Sequence, residues 1–154
     1  MTTIVKHTGQ NAGGILSVEY AFPGEFANFA IYPSFKIKVT FVNPGNWKPL
    51  YATATTFSGS GNSETTPSGI LYHYDFKFRC PKDRLDLIEA FHLFQIYGVI
   101  LRITDGNSLK RIYGTPSNPM IAKSKLLLPG EVQGFNGYEI ELEGSFPEPA
   151  YLEQ

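Results

Sequence analysis

The residues of this chain with the most chemical potential are three histidines, one cysteine and several acids, and their spacing does not assemble them into a site. His7, His73 and His92 stand far apart, with none at i, i+4 from another and no HExxH or HxH pattern. For each, a solvated or locally hydrogen-bonded imidazole is a plainer reading than a metal ligand without partners. Cys80 is the single cysteine, which excludes an intramolecular disulfide and a Cys-rich metal site. It precedes Pro81 at an expected helix start, where a helix N-terminus can lower a thiol pKa. No nucleophile motif surrounds it, so a small core residue at a strand–helix junction is the better reading.

The acids fall into two sets. Asp83, Asp86 and Glu89 recur every three residues, as acids do along the first turns of a helix. Glu139, Glu141 and Glu143 alternate along an expected strand, where cross-strand pairing with bases such as Lys36 and Lys38 is the ordinary use. Neither set has the Asp/Asn/Gly loop spacing of a calcium site. Gly13-Gly14 and the stretch Ser58 to Gly61 match neither GxxxxGK[ST] nor GxGxxG. Trp47 and nearby tyrosines could stack on sugars, although aromatics on alternating strands more often fill a core. These observations assign no catalytic residue, no metal ligand and no cofactor, and they single out no binding residues.

The elements that carry these residues read as strands. Residues 35–42 alternate, with Phe35, Ile37, Val39 and Phe41 on one side and Lys36, Lys38 and Thr40 on the other. Residues 70–79 alternate in the same way, placing Tyr72, Tyr74, Phe76 and Phe78 against His73, Asp75, Lys77 and Arg79. Residues 15–21, 120–128 and 138–144 predict further strands. Asp105-Gly106-Asn107-Ser108 predicts a hairpin between residues 99–104 and 109–113, because Asp-Gly tolerates positive φ. Residues 47–57 are expected to be extended and to pair with 70–79. The intervening residues 58–69, SGSGNSETTPSG, lack a large apolar side chain and predict an exposed, mobile loop. One helix is expected over residues 82–94, led by Pro81, with Leu85, Ile88 and Phe91 as its buried stripe and Leu87 and Phe94 broadening it. Residues 1–14 suggest a flexible N-terminal arm and residues 146–154 an extended C-terminal tail. The whole predicts a single, mostly β domain over 1–154, a largely antiparallel sandwich or barrel with one α-helix.

Composition bounds the partners. A formal net charge of −1 gives no electrostatic case for sequence-specific nucleic-acid binding and offers little long-range repulsion between copies. No apolar run reaches the ~20 residues that span a bilayer, and no secretory signal pattern is expected at the N-terminus. No membrane partner follows, and synthesis in a cytosol is the simplest expectation.

From Trp47 onward an order of features emerges. After that Trp, a Ser/Thr/Gly segment leads to Gly69-Ile70-Leu71-Tyr72, an aromatic strand and the segment led by Pro81. Then Ile103-Thr104-Asp105-Gly106-Asn107 leads to Ile112-Tyr113-Gly114-Thr115-Pro116-Ser117-Asn118-Pro119. Asn136-Gly137-Tyr138-Glu139-Ile140-Glu141-Leu142-Glu143-Gly144 and a Pro149-Ala150-Tyr151 ending close it. In this order the chain resembles small structural proteins of the virion, from tails or necks, encoded by phages and prophages of Bacteroidetes. The resemblance implies a non-enzymatic virion component, made in the bacterial host cytoplasm. Its implied partners are copies of itself, in a ring or tube, and other virion proteins. A carbohydrate- or surface-binding β module using Trp47 and nearby tyrosines is the competing expectation.

Overall fold

The computed structural model describes residues 13–42, 45–53 and 56–154. Among these residues, eleven strands form two sheets joined by one α-helix, a mostly β, sandwich-like fold as the alternation predicts. The strands are β1 Ile15–Ala21, β2 Phe26–Tyr32, β3 Lys36–Phe41, β4 Lys48–Pro49, β5 Ser58–Thr66 and β6 Gly69–Pro81, then helix α1 Leu85–Tyr97. β7 Ile100–Asp105, β8 Lys110–Tyr113, β9 Ile121–Leu127, β10 Gly137–Phe146 and β11 Tyr151–Glu153 complete the chain. The larger sheet runs β2-β3-β11-β8-β7-β1-β4 and the smaller β5-β6-β10-β9. All neighbours are antiparallel except β11 on β3.

The larger sheet cannot be flat. β1 and β2 lie five places apart in its order, yet only Phe22 to Glu25 connect them. Five strand spacings in a flat sheet cover ~24 Å, whereas the chain from Ala21 to Phe26 reaches at most ~17 Å. The sheet therefore curls until its ends approach. Trp47, one residue before β4, packs on Phe26 of β2 at 5.6 Å and on Phe41 of β3 at 5.5 Å between ring centroids. Lys48 forms an ion pair with Glu25 across the same seam. The curled interior holds Ala21, Ile37, Trp47, Ile100, Ile112 and Tyr151. The opposite face of β7 and β1 meets the smaller sheet and α1 through Val18, Leu101, Ile103, Phe76, Phe78, Phe91 and Phe94. β7 is thus buried on both faces: Ile100 and Leu101 point to opposite sides and both are fully buried, and the one basic residue of the strand, Arg102, is paired with acids.

Several expectations need correction. The helix runs over Leu85–Tyr97, not 82–94. Pro81 still pairs with Gly137 as the last residue of β6, and Lys82 takes φ 65°, a left-handed turn that no helix includes. Asp83 therefore lies outside the helix. Leu85 and Ile88 are exposed, while Phe91 and Phe94 are buried and Leu87 packs on the core. Residues 58–69 are not a loop. They form β5 and the turn into β6, so the hairpin partner of β6 is β5 rather than residues 47–57. Residues 47–57 contribute only the two-residue β4 among those described. Phe35 precedes β3 at φ 58° with its ring half exposed, so it does not share the buried face of Ile37. β2 was not anticipated: Phe26-Ala27-Asn28-Phe29-Ala30 carries no simple alternation, and a bulge interrupts its register between Phe26 and Asn28. The tail at 146–154 is no free arm, because β11 inserts between β3 and β8. Of the expected arm at 1–14, residues 1–12 lie outside the described residues. Gly14 accepts a hydrogen bond from the Gly106 amide at 2.9 Å.

The Asp-Gly hairpin forms where expected. Asp105 Oδ1 accepts from the amides of Asn107 and Leu109, both at 2.9 Å, which fixes the β7–β8 turn.

Candidate functional site

The structure separates the residues with chemical potential. His73 contacts Ser145 Oγ at 2.5 Å and Glu64 at 3.3 Å on an exposed sheet face, and His92 is exposed on α1. His7 lies outside the described residues. Cys80 is 1% exposed and donates its S–H to the Tyr51 carbonyl at 3.3 Å. Burial pushes its thiol up to about 11, with Arg84 opposing the shift, so the thiolate that a nucleophile needs is disfavoured. Asp83 accepts from Tyr138 Oη at 2.9 Å, Asp86 pairs with Arg84 at 3.5 Å, and Glu89 is exposed. The three glutamates of β10 do pair across strands, but with different bases from those expected. Arg79 takes Glu139, Lys77 takes Glu141 and Lys123 takes Glu143, while Lys36 and Lys38 belong to the other sheet. Among the described residues, no three of His, Cys, Asp and Glu are grouped as a metal site. Trp47 is buried and faces the guanidinium of Arg102 at 5.0 Å, so it presents no plane to a sugar.

The sheet edges are what remain, and they differ in how they are protected. An edge strand exposes unpaired N–H and C=O groups, and natural edges are blunted by Lys, Pro, bulges, short length or a covering helix. β4 is two residues long and ends in Pro49. β9 carries Lys123 and Lys125, and α1 packs beside it: Gln95 donates to Ser124 at 3.0 Å, and Val99 and Met120 bond backbone to backbone. The start of β2 has its bulge and the covering ring of Trp47. Among the described residues, β5 has none of these devices over its nine positions, and its single charge is Glu64.

Why a Ser/Gly sequence forms a strand here is visible in its neighbour. Gly59 lies opposite Phe76 and Gly61 opposite Tyr74. A Cβ on Gly59 would come within 2.3 Å of the Phe76 ring, and one on Gly61 within 2.6 Å of the Tyr74 ring. The rings lean across the glycines and supply the apolar cover that β5 lacks. A groove of about 230 Å³ runs along this edge, bounded by Gly59, Gly61, Phe76, Ile103, Leu109 and Tyr113. Gly59→Val is expected to destabilise by ~1–3 kcal/mol, because its side chain would displace the nearly buried Phe76 ring from its place in the core. Equilibrium urea unfolding checks this; a midpoint equal to wild type would show that the ring does not depend on the glycine.

A second cleft, about 560 Å³, opens between β2 and the C-terminal segment. Phe29, Ile31, Tyr74, Tyr113, Phe146 and Pro149 line it. Tyr74 Oη accepts from the Ala150 amide at 3.0 Å, holding the segment against β6. The cleft is mostly apolar, and its one carboxylate, Glu148, accepts from Tyr151 Oη at 2.7 Å. No helix among the described residues is long and apolar enough to cross a membrane. Comparison with family models, curated proteins and solved structures finds no match to this chain.

Proposed function

We propose that the chain is a non-enzymatic structural protein of a bacteriophage virion, a tail or neck component that assembles into a ring or tube. The observation that carries the assembly reading is β5, a nine-residue edge without Lys, Pro or bulge and with no covering helix among the described residues. Each unpaired backbone group on it is a hydrogen bond available to another chain. The near-zero net charge leaves that pairing unopposed at long range. The virion assignment is supported by the ordered features between Trp47 and Tyr151. Of the aromatics on which the competing surface-binding reading stands, Trp47 is buried while the nearby Tyr51 is exposed.

Adding charge to the edge tests the reading. Ser60 and Asn62 are exposed, on the side of β5 facing away from the Phe76 and Tyr74 rings. The Ser60→Lys/Asn62→Lys double variant is expected to stay folded, with stability within ~0.5 kcal/mol of wild type. It is also expected to shift the native mass from an assembled species to the monomer. A wild type that remains monomeric at high concentration, with no virion protein bound, would refute the proposal. So would an assembly that the two lysines leave intact.

A further inference from the structure

The chain carries its own candidate for the open edge of β5. Twelve residues, MTTIVKHTGQNA, precede Gly13 in the sequence. The point from which they depart is fixed beside β5. Gly14 accepts from the Gly106 amide at 2.9 Å, and Ile15, the first residue of β1, lines the same groove as Gly59, Ser60 and Gly61. Length permits full cover: the nine residues of β5 extend over ~30 Å, and the twelve residues, fully extended, reach ~40 Å. Direction follows from the anchor. Traced backward from Gly14, the segment starts near the beginning of β5 and has most of the edge ahead of it toward Thr66. A strand laid that way runs antiparallel to β5.

The sequence suits the place. Thr2-Thr3-Ile4-Val5 is a β-branched run, and no proline interrupts the twelve residues. Lys6 is the only Lys, Arg, Asp or Glu among them, and Glu64 is the only charge on β5. The Glu64 side chain is 64% exposed, open to a second partner besides His73. The antiparallel sense brings Lys6 to the Glu64 half of the edge. Connectivity also favours this occupant over a separate molecule. A segment tethered at Gly14 meets the edge at the roughly mM effective concentration of a short linker, which a free copy would have to match.

We propose that residues 2–10 form a strand on β5 of their own chain, antiparallel to it, and so cover in the free protein the edge that assembly uses. This regulates the edge on which the assembly reading rests: a neighbour reaches β5 only once the segment is displaced.

Cysteine cross-linking within one chain reads the contact. Native Cys80 is buried with a raised thiol pKa, so introduced surface cysteines are the reactive ones. Lys6→Cys is combined in one full-length chain with Asn62→Cys or with Glu64→Cys, and the dilute protein is oxidised mildly. A monomer that has lost both introduced thiols to an internal disulfide is expected in at least one combination. Disulfides that form only between chains would overturn the own-chain assignment, and no disulfide in either combination would overturn the cover itself. The wild-type sequence shortened to begin at Gly13 gives an independent readout. At a concentration where both forms are monomeric, its β5 amides are expected to lose protection from hydrogen exchange relative to the full chain. Equal protection would overturn the proposal. The shortened chain is also expected to assemble at a lower concentration than the full one. An internal disulfide in a protein that never assembles, shortened or full, would uphold the cover and overturn the assembly reading alone.

Discussion

Arg102→Ala is expected to cost ~3–5 kcal/mol, a large share of the ~5–15 kcal/mol that holds a domain of this kind together. Arg102 stands on β7 and projects into the curled interior of the larger sheet. Its Nε donates to Glu19 at 2.6 Å, and its Nη1 donates to both carboxylate oxygens of Glu153 at 3.1 Å. The three side chains are 14% to 24% exposed. Their guanidinium also faces the Trp47 ring, a site where Lys would not substitute for the planar fork. Removing Arg102 leaves two carboxylates in the interior without a counter-ion, which costs more than the loss of the bonds themselves. The discriminating variant is the triple Arg102→Ala/Glu19→Gln/Glu153→Gln, which removes the orphaned charges together with the base. Urea unfolding should show it recovering part of the loss. A triple variant as unstable as the single one would locate the cost in packing against Trp47 instead. Because Glu153 belongs to β11, the single variant should also loosen the C-terminal strand, visible as faster amide exchange at Leu152.

The same network shows where sequence reasoning stops. The strands with one buried face were legible, because alternation directly reports burial. Tyr74, Phe76 and Phe78 join the core from one face of β6, as their spacing implies. The Asp105-Gly106 turn was legible because its chemistry is local. The curl of the larger sheet was not, since it follows from strand order, which local periodicity does not encode. Arg102, Glu19 and Glu153 are separated by 83 and 51 positions and meet only through that order. β5 was misread because its own side chains carry no apolar signal, and the rings that cover it belong to β6. The available signal was relational: glycines at 59 and 61 match the two-residue step of Tyr74 and Phe76. β11 was missed because three residues are too few to show a period. The helix start was misplaced because Pro81, a good opening residue for a helix, is equally suited to the end of an extended strand.

Phe94→Ala is expected to cost ~3–5 kcal/mol and, unlike Arg102→Ala, to change the form of assembly as well. The Phe94 ring is 1% exposed and packs edge-on against Tyr20 at 4.8 Å and against Phe22 and Phe91 at 5.8 Å. It is the main tie between α1 and β1, since the outer positions Leu85, Ile88 and Ile96 touch solvent. A cavity at this ring leaves Phe91 and Leu87 as the helix's remaining residues in the core cluster, with Gln95 and Tyr97 as peripheral ties. The helix is also what lies beside β9, so its release opens a second edge bearing the half-exposed Leu126. Two open edges on opposite sides of one small sheet permit extension without a defined end. If the chain assembles as proposed, light scattering of Phe94→Ala should therefore show polydisperse aggregates in place of a discrete wild-type species. Ile88→Ala, on the exposed side of the same helix, should stay within ~0.5 kcal/mol and assemble normally. If Phe94→Ala loses stability yet keeps the discrete assembly, α1 does not guard β9, and the lysines at 123 and 125 protect that edge unaided.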